Sequence, residues 1–180
     1  MNAWNHLKTI MKHKRLVRKQ CFQIGLYKQG LLHDLSKFSP TEFWQGVKYY
    51  QGTRSPNNAE REEKGYSEAW LHHKGRNKHH YEYWIDYCCH GSSGTMLPVP
   101  MPDRYIAEMI MDRIAASKVY KKEDYTDRCP LDYYYEGTHR APLHEYTREK
   151  LVFYLELLAS EGEKACFAHM KEHLVQKKDE

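Results

Sequence analysis

Residues that are costly to bury occupy helix stripes that ought to be apolar. Between residues 3 and 28, Ile10, Val17, Cys21 and Ile24 recur at spacings of three, four and seven, so they share one helix face, yet His6 and His13 lie on the same stripe. A later segment starting at Asp103 and reaching about Tyr120 turns Ile106, Met109, Ile110, Arg113 and Ile114 toward a core, and Asp112 sits inside it. A carboxylate facing a core is expensive unless a cation or hydrogen bonds compensate it. The fold must therefore house imidazoles and carboxylate among its helices.

Apolar and polar residues do not alternate over strand length anywhere, and the expected fold is a compact all-α bundle of about six to eight helices in one domain spanning 1–180. Ser39-Pro40-Thr41-Glu42 has a capping-box residue at each end and proline at the first helical position, so a third helix starts at Pro40 and runs to about Gln51. Gly52 through Gly65 is rich in Asn, Pro, Ser and charge and reads as an exposed loop, a candidate lid. Helix resumes from about Ser67 to Cys89, broken near Gly75-Arg76-Asn77. Loops follow at 90–94 and 98–102, and Asp103 is expected to cap the next helix. Residues 121–142 read as irregular and tyrosine-rich. A helix from about Leu143 to Ala159 and another capped by Ser160 with Glu163 complete a C-terminal extension over about 143–178.

Twelve histidines fall in 180 residues, and most form an ordered series: His13, the pair His33-Asp34, His72-His73, His79-His80, then Asp112. Neutral imidazole and carboxylate together suit Mn, Fe, Co, Ni or Zn better than Mg, which prefers oxygen. One or two such divalent ions are expected. The formal charge of +4 suits a phosphate-bearing partner and is too weak to establish nucleic-acid binding. Five cysteines without a CxxC pair, no secretory signal core and no long apolar run make a soluble cytoplasmic protein with reduced thiols the expectation, with no membrane partner.

The series resembles the HD-domain superfamily of metal-dependent phosphohydrolases, and His33-Asp34-Leu35-Ser36-Lys37 is similar to its extended His-Asp-x-Gly-Lys signature, with Ser36 where many members carry glycine. The stretch from His33 to Phe43, with Trp70 to His80 and Tyr83-Trp84, resembles more closely an uncharacterised family of small bacterial and phage proteins, and the likeness covers about residues 10–120. The metal-site core implied spans about 6–120. The resemblance implies one ion held by a first-helix histidine, His33, Asp34 and Asp112, and a second where further histidines are present, with Asp34 bridging and a hydroxide between the ions attacking phosphorus. His13 is preferred to His6 as the first ligand, on the closer match at His13-Lys14-Arg15-Leu16-Val17.

His73, His79 and His80 are the candidates for the second ion, and His72 reads as a neighbour of a ligand. Lys37, Arg76 and Asn77 are the candidate phosphate-binding set, Lys37 and Arg76 acting in catalysis beside Asp34. Lys78, Trp70, Tyr81, Tyr83 and Trp84 have bland readings as solvated charge and packing, as do His90, His139, His144, His169 and His173. The expected activity is hydrolysis of a phosphate ester or diester in a nucleotide or related small molecule. A di-iron oxidase of HD type and a non-catalytic, metal-stapled module binding nucleic acid are the alternatives.

Overall fold

The computed structural model describes residues 2–87 and 95–176. Among them are eight α-helices and one two-stranded ribbon, an all-α fold. Helix α1 (Asn2–Gln23) buries His6, Ile10, His13, Val17, Gln20 and Cys21, the stripe read from the sequence. It ends at Gly25, whose φ of +90° is a left-handed conformation that suits glycine. Helix α2 (Tyr27–Leu32) folds back against α1, with Gly30 set closely against Cys21 and Phe22.

Helix α3 (Pro40–Lys48) starts as its capping residues dictate, Ser39 Oγ accepting from the Glu42 backbone N–H, and stops before the expected Gln51. The expected loop over 52–65 is instead mostly helix α4 (Pro56–Lys64). This polar segment has almost no apolar stripe. It is held by the buried Glu60 carboxylate, which accepts from the Ser67 hydroxyl at 2.6 Å, the Glu68 backbone N–H and Lys64. Helix α5 (Glu68–Lys74), capped by Ser67, packs on α3. The chain turns at Gly75 as expected, but the helix does not resume. A 3₁₀ turn (Tyr81–Trp84) leads into strand β1 (Ile85–Tyr87), paired antiparallel with β2 (Met96–Pro98) in the register Ile85–Pro98, Asp86–Leu97 and Tyr87–Met96. The expected loop at 90–94 lies outside the described residues.

Helix α6 (Asp103–Lys121) is the central element. Ile106, Ile110, Ile114 and Met111 are fully buried, and burial of each such side chain contributes about 1.5–3 kcal/mol. Pro102 occupies the cap position; Asp103 is the first helical residue and accepts from Tyr146 and Lys150. Helix α7 (Cys129–Glu136) lies within the stretch read as irregular, with Pro130 in its first turn. Helix α8 (Glu145–Met170) packs on α6 and α7, and its break comes at Gly162 (φ +81°), not at a Ser160 cap. The Ser160 hydroxyl instead donates back to the Glu156 and Leu157 carbonyls. No helix of the described residues is long and apolar enough to cross a membrane.

Candidate metal centre

His33 and Asp34 sit where α2 gives way to a 3₁₀ turn (Leu35–Phe38). Asp34 has φ of +54°, uncommon for a residue with a side chain, and this bend turns both side chains inward: His33 is 2% exposed and Asp34 0%. Two sets of ligand atoms surround the Asp34 carboxylate. On its Oδ2 side lie His13 Nε2 (3.7 Å) and His33 Nε2 (3.3 Å), with Asp112 Oδ1 2.9 Å from His13 Nε2 and 3.4 Å from His33 Nε2. On its Oδ1 side lie His73 Nε2 (3.3 Å) and His79 Nε2 (3.4 Å), and His80 joins them. Within each set of four, the ligand atoms lie within 4.8 Å of one another. Ligands each about 2.0–2.2 Å from one ion lie about 3.3–4.4 Å apart, so small side-chain shifts bring each set to ligand spacing.

The donor set fits divalent ions. The buried His79 Nε2, His80 Nε2 and both Asp34 oxygens lack well-aligned hydrogen bonds, a rare condition for buried polar atoms. Two further carboxylates aim the rings. Glu108 Oε1 lies 2.9 Å from His33 Nδ1 and 3.2 Å from His79 Nδ1, while Glu42 Oε2 lies 2.7 Å from His73 Nδ1 and its Oε1 2.6 Å from His72 Nδ1. An imidazole that donates Nδ1–H to a carboxylate keeps its Nε2 lone pair for a metal.

Electrostatics follow the same division. Burial opposes charge on His33, but Asp34, Asp112 and Glu108 outweigh it and raise its pKa well above the usual 6.5; against burial, Asp34 and the Nδ1 partner Glu42 also raise that of His73. Burial keeps His13 and His80 below the usual value, as neutral imidazoles. Burial would raise Asp34 and Asp112, yet the charges of His33, Lys37 and His73 hold Asp34, and hydrogen bonds from His13 and His33 hold Asp112, well below the usual carboxylate range. Lys37 Nζ lies 2.6 Å from Asp34 Oδ2, and Asp34 and Asp112 keep it charged against the cost of burial.

The structure thus brings together His13, His33, Asp34, His73, His79, His80, Asp112 and Lys37. His6 stands apart, 5.6 Å from the Phe43 and Tyr50 rings, its imidazole filling the space over Gly46. His72 is a neighbour of His73 sharing Glu42. Arg76 does not contact the cluster: its guanidinium donates to the His72 carbonyl on an exposed face. Asn77 is buried, and its Nδ2 donates to Ser36 Oγ and the His73 carbonyl, so it braces the turn. Ser36 itself touches His73 Nδ1 at 3.2 Å.

Glu108 and Glu42 escaped the sequence reading. Glu108 precedes Asp112 by four residues on one face of α6, a spacing that would have flagged it. Glu42 had a sufficient local role as a capping-box residue. No curated protein and no solved structure matches the chain. Residues 2–157 do match one family model, so the chain belongs to the family of unknown function DUF5662.

Proposed function

We propose that this protein is a metal-dependent hydrolase of phosphate esters, with a nucleotide or related small molecule as substrate. The observation that carries the reading is the division of the Asp34 carboxylate, one oxygen toward His13, His33 and Asp112 and the other toward His73 and His79, with an ammonium beside it. The likeness of His33-Asp34-Leu35-Ser36-Lys37 to the HD signature supports the same reading.

When bound, a pair of divalent ions supplies Lewis acidity for attacking and leaving oxygens in phosphoryl transfer. The chain's own residues do the rest. Glu108 and Glu42 fix the tautomers of three imidazoles before substrate arrives, so little reorganisation accompanies binding. Lys37, one turn beyond Asp34 and about one-third exposed at its side chain, keeps its proton and offers positive charge to a phosphoryl oxygen.

The experiment is metal analysis of the purified protein together with turnover of a panel of nucleotides, phosphomonoesters and phosphodiesters, on wild type and Asp34→Ala. The expected result is bound transition metal, metal-dependent hydrolysis, and loss of both in a variant that keeps its helical circular dichroism. Hydrolysis undiminished in Asp34→Ala, or none in a fully loaded wild type, refutes the proposal. Oxygen-dependent optical changes in the iron-loaded protein would point to redox chemistry instead.

A further inference from the structure

Helix α1 carries two apolar stripes, and only one of them faces the core. Trp4, Met11 and Phe22 are spaced by seven and eleven residues, about two and three turns, so they share the side of α1 opposite the buried His6, His13 and Val17. All three are exposed, Trp4 by 62%. The outer stripe also continues beyond α1. The Phe22 ring lies 5.3 Å from that of Tyr27 at the start of α2, and one turn further along α2 stands Leu31, 55% exposed. Along the flank of α1, Lys14 donates to the His33 carbonyl and lies 5.9 Å from the exposed ring of Phe38. A run of exposed apolar side chains over two neighbouring helices marks an interaction surface.

The stripe is edged with cations. Lys8, Lys12, Lys14, Arg15, Arg18 and Lys19 all belong to α1, which holds no acidic residue, so none has an oppositely charged neighbour along its own helix. These six exceed the formal net charge of +4 for the whole chain, so the rest is net acidic and the positive charge is concentrated here. Before Glu42 the one acidic residue is Asp34, fully buried among the candidate metal ligands. By helical spacing, Lys14 and Arg18 lie along one edge of the stripe and Lys8, Arg15 and Lys19 along the other. Apolar side chains between two rows of Lys and Arg suit an anionic bilayer: the headgroups pair with the cations while the apolar groups enter the acyl boundary. The aliphatic Met11 and Leu31 favour this occupant over single-stranded nucleic acid, whose bases stack on flat rings.

We propose that the outer face of α1, with Tyr27 and Leu31 of α2, docks on an anionic lipid surface, α1 lying along the bilayer as an interfacial helix. The lack of a long apolar run, which argues against a spanning segment, has no bearing on a helix of this kind. Docking here is independent of the reaction at the metal centre.

The test is co-sedimentation of the purified protein with vesicles of phosphatidylcholine alone and of an equimolar mixture of phosphatidylcholine and phosphatidylglycerol. Binding should require the anionic lipid and fall at least tenfold as salt rises from about 0.1 M to about 1 M. Arg15→Gln combined with Lys19→Gln removes two charges from one edge and should weaken binding at least tenfold, at about fivefold per charge. Trp4→Ser combined with Met11→Ser removes apolar surface alone and should also weaken it at least tenfold. All four side chains are exposed, so both variants should keep the circular dichroism of the wild type. No binding to anionic vesicles at the lower salt, or binding that either double variant keeps in full, overturns the proposal; dependence on the charges alone is electrostatic adsorption only. Two other occupants would overturn it as well: a single-stranded oligonucleotide bound in place of vesicles, or a dimer that ignores vesicles and dissociates in the Trp4→Ser, Met11→Ser variant.

Discussion

Removing the Glu108 carboxylate tests whether the convergence of imidazoles is built for metal. One oxygen, Glu108 Oε1, is within hydrogen-bonding distance of both His33 Nδ1 and His79 Nδ1, and the two rings turn their Nε2 atoms to opposite oxygens of Asp34. In Glu108→Ala both Nδ1–H donors lose their acceptor in a buried site, at a cost of about 1–3 kcal/mol each unless the ring changes tautomer. Changing tautomer moves the proton to Nε2 and blocks the lone pair that faces Asp34. Loss of such an orienting partner typically weakens metal binding about 10–100-fold, or roughly 1.4–2.8 kcal/mol. Because one oxygen serves both rings, the loss should fall on both ions, whereas Glu42→Ala should weaken only the group that contains His73. Glu108→Gln retains an acceptor oxygen and should lose less than tenfold. Competition titration against a chromophoric chelator, with circular dichroism as the control for folding, gives these affinities. If Glu108→Ala binds both ions within about twofold of wild type, the rings are not oriented for metal and the site assignment fails.

Lys37→Met keeps the apolar stem and removes the charge; turnover should fall by about 30–1,000-fold, on the order of 2–4 kcal/mol, with metal stoichiometry unchanged. Metal binding near neutral pH should release protons, because His33 and His73 have pKa values raised above 6.5 in the metal-free protein and must become neutral to ligate. The sign is definite: the protonated rings stabilise the metal-free fold at low pH, that contribution is lost as pH rises through their raised pKa values, and metal affinity rises over the same interval. Calorimetry in buffers of different ionisation enthalpy counts the protons, and zero release would contradict the assignment. Gly46→Ala would place a methyl 2.2 Å from His6 Nε2, and this overpacking should lower stability by about 1–3 kcal/mol in thermal melts while leaving metal content intact.

The extent to which the fold could be read from sequence depended on how local its causes were. The α1 stripe and the Pro40 helix start are written in spacing and caps, and both appear in the structure. Helix α4 has no apolar face to betray it, and its stability comes from Glu60 reaching Ser67 and Glu68 across a loop. The ribbon of β1 and β2 is three residues per strand, too short for alternation to register. At the site, His33-Asp34 was legible because chemistry and position coincide in one dipeptide, and the choice between His13 and His6 was not, since both occupy one buried stripe of α1 and only the approach of α6 separates them. Arg76 and Asn77 illustrate the converse: residues of the right type beside a ligand, turned by the bend at Gly75 to other partners.

The two ligand groups are drawn from the chain in different ways. His73, His79 and His80 come from the end of α5 and the turn that follows it, so that group needs little more than this one segment and Asp34. The other group gathers His13 from α1, the His33-Asp34 corner and Asp112 from α6, elements widely separated along the chain. An ion there would act as a cross-link across most of the domain, favouring the native chain over the unfolded one in proportion to the logarithm of its concentration. Supply of metal and survival of the folded protein would then be one variable rather than two.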